Sequence, residues 1–136
     1  MVAVEYGKFN DDPTVKELGY RKGTGRRPWV RLTEDLIYTT STGYTITVPA
    51  GFESDKASVP WFFWRLCPAD SDANAAAYVH DYLYRETKCS KVLADAIFLD
   101  AMMALDVEPW RRKLMYKAVA YFGGGAFRKC RKEQKE

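Results

Sequence analysis

A short connection, Glu-Thr-Lys-Cys-Ser at positions 86–90, constrains the fold of this chain more than any other feature. It joins two segments, 71–87 and 89–105, that both have the apolar periodicity of helices. Helices linked by so short a turn must pack side by side and run antiparallel. The connection therefore determines which residues of the two helices face each other.

Residues at equal distances from the turn are expected to meet. The turn is centred near position 87.5, so His80 and Asp95 lie at the same height, about 11 Å along their helices at ~1.5 Å of rise per residue. The same register pairs Tyr84 with Lys91, closer to the turn. Two further pairs in this register are apolar, which supports it: Ala77 with Phe98, and Ala76 with Leu99.

The predicted contact between His80, the only histidine, and Asp95 has the chemistry of a general-base dyad. A carboxylate beside an imidazole selects one tautomer and raises its basicity. His80 would then be the base and Asp95 the residue that orients it. Tyr84 lies one turn from His80 on the same helix face and would support the pair. Asp81 points about 100° away, where it could hold a cation or contact a loop.

A structural role fits the same residues. A buried histidine whose hydrogen bonds are satisfied by an aspartate and a tyrosine is common in protein cores. The polar groups exceed what one histidine needs, however, because Asp55 and Ser58 are available from a preceding loop in addition to Asp81, Tyr84 and Asp95. From the spacing alone, both the catalytic and the structural role stay open.

Composition limits the class of protein. The 136 residues are 47% hydrophobic and 29% charged, which predicts one globular domain over 1–136. A net charge of +3 is too small to imply a nucleic-acid partner. We expect no transmembrane segment and no signal peptide, and therefore synthesis in a host cytoplasm, with the virion as a further location. Three scattered cysteines and one histidine do not form a structural zinc site.

Strand and helix signals divide the chain and predict an α+β fold. Within 28–66, two β-branched stretches flank Ser-Thr-Gly, which predicts a hairpin or small antiparallel sheet. The region 71–122 predicts a C-terminal three-helix unit, on which the sheet packs. The glycines at 123–125 are typical of a helix stop, and 126–136 is expected to be a solvated basic tail.

An aromatic-rich loop connects the two halves. Asp55 and Ser58 precede a dense aromatic run at 61–64, which begins with Trp61. Packing of the hairpin onto the helices is the favoured interpretation of this run, because large aromatic residues make up much of a small core. The alternative is that the run is an exposed anchor for a membrane surface or a partner. Ser58 and Trp61 are predicted to bind substrate or to support the loop.

Four motifs, in order, resemble those of a phage and prophage family known as domain of unknown function thirteen-fifty-three. The resemblance spans about residues 32–124, most of the chain. Its motifs are Gly-Phe-x-Ser-Asp-x-x-Ser-Val-Pro at 51–60, His-Asp-x-Leu-Tyr at 80–84, Ala-Asp-x-x-Phe at 94–98 and Met-Tyr-x-x-Val at 115–119. The resemblance implies a phage origin and other phage proteins as partners. It implies no particular activity.

The His-Asp-x-x-Tyr helix facing an aspartate is also similar to the active-site core of calcium-dependent secreted phospholipases. This analogy implies His80 as general base, Asp95 as the orienting residue and Asp81 as a calcium ligand, with Asp55 as a further oxygen donor. The chain lacks the paired cysteines and the glycine-rich calcium loop of those enzymes. Calcium is thus the only cofactor that the sequence suggests, and it rests on two helices alone.

Two functions follow as hypotheses. The first is a small hydrolase that acts on an ester, amide or lipid of the bacterial envelope. The alternative is a virion or assembly protein, of the tail or of the head–tail junction, in which the His80 cluster is structural. A host-directed binding module is a third and weaker hypothesis.

Overall fold

The computed structural model describes residues 7–19, 29–55, 73–87 and 89–134. Strands occupy the N-terminal half and helices the C-terminal half, so the predicted α+β class is confirmed. The strands are β1 Lys8–Phe9, β2 Val15–Gly19, β3 Trp29–Leu32, β4 Leu36–Thr39, β5 Thr45–Val48 and β6 Glu53–Ser54. The helices are α1 Asn74–Glu86, α2 Lys91–Ala104, α3 Pro109–Phe122 and α4 Gly124–Gln134.

Within the described residues, the six strands form two antiparallel sheets of three strands each, in the orders β1-β4-β5 and β2-β3-β6. The predicted hairpin is β4–β5, which pairs Leu36 with Val48 and Thr39 with Thr45. Gly43 adopts a φ of 91° in the turn, a conformation that glycine reaches without steric cost. In β5 the apolar side chains are buried and the threonines exposed, as the alternation predicts.

The helix boundaries follow local signals in the sequence. Ser90 caps α2, because its side chain accepts a hydrogen bond from the backbone N–H of Leu93 at 3.2 Å. Pro109 occupies the first turn of α3, where its missing N–H is tolerated. The predicted stop is also present, since α3 ends at Phe122 and Gly123 accommodates the break. No helix within the described ranges is both long and apolar enough to cross a membrane.

The expected solvated tail is instead a fourth helix. α4 begins directly after Gly123 and packs against α1. Its inner face contributes the buried Cys130 and the ring of Phe127, whose centroid lies 5.2 Å from that of Tyr84. The prediction of three helices followed by a free basic end was therefore wrong, because the segment is amphipathic: Arg128, Lys129 and Lys132 are exposed while Cys130 is buried.

One apolar core joins the two halves. It contains side chains from both sheets and from all four helices, among them Leu32, Tyr38, Val48, Val79, Phe98, Met115 and Cys130. The helical hairpin α1–α2 lies at the centre, since α1 packs against α2, α4 and the strands. Residues on the inner faces of α1 and α2 are consequently shielded from solvent.

We predict that Gly123→Ala destabilises the fold whereas Gly125→Ala does not. A Cβ at Gly123 would lie 2.9 Å from the hydroxyl of Tyr84 and too close to the carbonyl of Val119, whereas nothing lies within 4 Å of one at Gly125. We expect Gly123→Ala to reduce the free energy of unfolding by about 1–3 kcal/mol. Urea denaturation of both variants measures this, and equal effects would contradict the close approach.

Candidate functional site

The carboxylate of Asp95 is the centre of a buried hydrogen-bond network. Its Oδ1 lies 2.7 Å from Nε2 of His80 and accepts a hydrogen bond of 2.7 Å from the hydroxyl of Tyr84. Its Oδ2 accepts a hydrogen bond of 2.7 Å from Nζ of Lys91. The contact that the register predicts between His80 and Asp95 is thus present. Tyr84 and Lys91, which the register pairs with each other, both bind Asp95 instead.

Helical spacing explains why these four side chains converge. His80 and Tyr84 are four residues apart on α1, and Lys91 and Asp95 are four residues apart on α2, so each pair shares one face of its helix. The imidazole of His80 packs between two rings, with centroid distances of 4.2 Å to Tyr84 and 4.7 Å to Phe98. This packing fixes the ring orientation that the hydrogen bond to Asp95 requires.

Burial determines the protonation states of the pair. It lowers the pKa of His80 below 6.5, although Asp95 and Asp81 favour the charged form. Burial alone would raise the pKa of Asp95, but hydrogen bonds from His80, Lys91 and Tyr84 hold it below its ordinary value. At neutral pH the site therefore contains a neutral imidazole and a carboxylate. In that state Nε2 carries the proton toward Asp95, and Nδ1 is the basic nitrogen.

Lys91 connects the network to a third helix. Besides Asp95, its ammonium group donates to the carbonyl oxygens of Val119 at 2.7 Å and Ala120 at 3.2 Å. These carbonyls belong to the last turn of α3, at the negative end of the helix dipole, where a cation is favourable. The register pairs Lys91 with Tyr84 and does not predict its contact with Asp95. The four-residue spacing between them is the signal that could have identified this contact.

Asp81 belongs to a second cluster, one helix face away. Its carboxylate accepts hydrogen bonds from the hydroxyl of Ser54 at 2.7 Å and from Nε of Arg85 at 3.1 Å. Arg85 also reaches Oδ1 of Asp55 at 3.4 Å, and its guanidinium lies 5.5 Å from the ring centroid of Trp29. The cluster attaches Ser54 at the end of β6, and Asp55 after it, to α1.

The position of Arg85 argues against the predicted calcium site. Its guanidinium lies between Asp81 and Asp55, where a cation would have to bind, and supplies the positive charge itself. Burial raises the pKa of Asp81, and Arg85 and Ser54 counteract that effect only in part. Within the described residues, no group of three or more histidine, cysteine, aspartate or glutamate side chains is arranged to hold a metal ion.

The other predicted site residues are only partly located. Asp55 is buried beside Arg85, whereas Ser58 and Trp61 lie outside the described residues, as does the rest of the aromatic run. His80 and Asp81 are both 0% exposed. Two concavities, of about 260 and 460 Å³, lie between the β4–β5 hairpin and the helices, and His80 lines neither of them.

Comparisons with known proteins identify relatives without an assigned activity. Residues 30–119 match the model of the family described as protein of unknown function (DUF1353). The chain is also 33% identical over 122 residues to the uncharacterized protein y4jT of Sinorhizobium fredii. That match covers 87% of this chain but 34% of the relative, so the chain spans about a third of the relative's length. No solved structure matches.

We predict that protonation of His80 destabilises the fold. Because the folded pKa lies below the unfolded value near 6.5, the stabilisation is complete above pH 6.5 and is lost as the pH falls toward the folded pKa. One proton gives a slope of at most about 1.4 kcal/mol per pH unit. Urea denaturation between pH 8 and pH 5 measures it.

His80→Gln is the control for this pH dependence, because its amide can donate to Asp95 but does not titrate. We expect the slope between pH 6.5 and pH 5 to disappear in the variant. Asp81 acts in the opposite direction at lower pH, since its raised pKa favours proton binding in the folded state. An identical slope in wild type and variant would exclude His80 as its source.

We further predict that Lys91→Met weakens the junction of α2 and α3. The variant keeps the length of the apolar stem but removes the donors to Asp95 and to two carbonyls. A loss of about 1.5–3 kcal/mol in the free energy of unfolding is expected for such charge-assisted bonds. Lys117→Met, at an exposed position of α3, is the matched control and should change stability little. Thermal and urea denaturation of both variants measure the difference.

Proposed function

The chain belongs to the family of proteins of unknown function DUF1353, and we propose that it is a small hydrolase in which His80 activates water. One observation supports this most strongly. Oδ1 of Asp95 accepts hydrogen bonds from both Nε2 of His80 and the hydroxyl of Tyr84. A structural histidine needs one acceptor, whereas here the acceptor is itself held in place by Tyr84 and Lys91. That is how a general base is oriented.

The proposed reaction uses the neutral imidazole as a proton acceptor. Nδ1 of His80 removes a proton from water while the water oxygen forms a bond to the substrate carbonyl carbon. The imidazolium that results is stabilised by the charge of Asp95, which stays ionised because its pKa is lowered. The same proton is then donated to the leaving alcohol or amine as its bond to carbon breaks. His80 returns to the neutral state.

The positive charge of Arg85 makes a metal ion unnecessary in this proposal. Arg85 neutralises Asp81 and Asp55, so their role is to fix α1 against the chain after β6 rather than to bind calcium. We propose an ester, amide or lipid of the bacterial envelope as the substrate, in keeping with the phage origin that the motifs imply. Because His80 is fully buried, turnover requires local opening of the packing around Nδ1.

Complete burial of the site favours a second candidate function. His80 and Asp81 have no exposed surface, and the polar clusters around Asp95 and Asp81 each link separate elements of the fold. In this alternative the protein is a virion or assembly component of a phage, its partners are other phage proteins, and the polar clusters are structural. Truncation of His80 would remove one of the three donors to the buried carboxylate of Asp95, at a cost of a few kcal/mol.

His80→Gln distinguishes the two functions. As hydrolase, the wild type should cleave p-nitrophenyl esters or phosphatidylglycerol, and the variant should lose at least about a hundredfold in kcat/KM while its stability at pH 8 changes by less than about 1 kcal/mol. Tyr84→Phe should reduce kcat and leave KM nearly unchanged, because it orients Asp95 without touching the substrate.

Equal rates for wild type and His80→Gln would contradict a role of His80 as base. Absence of hydrolysis by the wild type across ester, amide and lipid substrates, together with a large loss of stability in His80→Ala, would favour the assembly protein. Circular dichroism of each variant establishes that the fold is retained before rates are compared.

A further inference from the structure

The C-terminal helices carry the net positive charge of the chain. Residues 108–134 contain eight basic and two acidic residues, a net charge of +6, whereas residues 1–107 contain twelve basic and fifteen acidic residues, a net charge of −3. The modest total of +3 conceals this separation. A basic region of this kind attracts anionic surfaces over a distance of about 8–10 Å at physiological salt.

The outer face of α3 combines this charge with exposed aromatic side chains. Trp110, Lys113, Lys117 and Tyr121 recur at intervals of three and four residues, so at about 100° per residue they form one stripe, roughly 16 Å long. All four side chains are exposed, with Trp110 at 55% and Tyr121 at 79%. Phe122, 64% exposed, extends the apolar surface at the end of the helix.

Further cations lie beyond the end of this stripe. The guanidinium of Arg128, an exposed residue of α4, lies 3.2 Å from where a Cβ on Gly124 would be. Lys129 and Lys132 are also exposed on α4. At the opposite end, Glu108 accepts a hydrogen bond of 2.6 Å from the indole of Trp110, which orients the ring and places a negative charge there.

We propose that this stripe (Trp110, Lys113, Lys117, Tyr121 and Phe122) binds the surface of an anionic lipid bilayer. Aromatic side chains with a polar edge partition into the interfacial region of membranes, and lysine stems extend along apolar surface while their ammonium groups reach the phosphates. Each lysine near an anionic membrane contributes to the attraction. The inference is independent of the proposed hydrolysis, since none of these residues contacts His80 or Asp95.

A lipid surface fits the stripe better than a nucleic acid does. Single-stranded nucleic acids are bound in grooves in which aromatic rings stack on successive bases. Here the aromatic residues project from the outer face of one helix, with lysines between them, which suits a broad anionic plane. Preferential binding of an oligonucleotide over vesicles would instead indicate a nucleic acid as the partner.

Co-sedimentation with vesicles tests the proposal. The full chain should bind vesicles of equal parts phosphatidylcholine and phosphatidylglycerol at least about tenfold more tightly than vesicles of phosphatidylcholine alone, and about 0.5 M sodium chloride should abolish the difference. The double variant Lys113→Gln/Lys117→Gln should bind at least about tenfold more weakly. Tyr121→Ser/Phe122→Ser should weaken binding as well, because it removes the apolar anchors.

Val92→Ser is the matched control, because Val92 is also 79% exposed but lies on α2. Val92→Ser should bind the anionic vesicles as tightly as wild type does. His80→Gln should also bind them like wild type, so that a failure of the hydrolase proposal is distinguishable from a failure of this one. Equal affinity for both kinds of vesicle, preferential binding of an oligonucleotide, or an effect of Val92→Ser as large as that of the stripe variants would overturn the proposal. Circular dichroism establishes that each variant is folded.

Discussion

The buried carboxylate of Asp95 is the interaction on which the arrangement of the helices depends. A charge withdrawn from water is tolerated only where donors surround it, and here His80 and Tyr84 from α1 and Lys91 from α2 do so. Lys91 extends the network to the last carbonyls of α3. A single carboxylate thereby fixes three helices relative to one another, and it fixes the tautomer of the histidine at the same time.

The buried aspartates Asp95 of α2 and Asp81 of α1 are neutralised in different ways. Asp95 receives two hydrogen bonds from α1 and one from a lysine, so its pKa is lowered and it is ionised beside a neutral imidazole. Asp81 has Arg85 and Ser54 as partners, and burial still raises its pKa. The first arrangement leaves His80 able to accept a proton. In the second arrangement, Asp81 and Arg85 attach Ser54 and Asp55 to α1, which is a structural role.

Much of this could be predicted because local patterns and a short turn carry long-range information. The hairpin β4–β5, the cap at Ser90 and the contact between His80 and Asp95 all follow from periodicity, capping and equal distances from one connection. Tyr84 was expected on the correct face but with a different partner. α4 was missed, because a basic segment after three glycines lacks the apolar run that usually signals a packed helix.

The sequence by itself determined the α+β class, the antiparallel helical hairpin and the meeting of His80 with Asp95, since each depends on spacing along one or two adjacent elements. Only the tertiary structure decided that Lys91 joins Asp95 to α3, and that Arg85 lies between Asp81 and Asp55 where calcium was expected. The complete burial of His80 was likewise decided there. These outcomes depend on how elements that are distant in sequence pack together, and on which long basic side chain then lies within hydrogen-bond distance of each carboxylate. Spacing along the sequence does not contain that information.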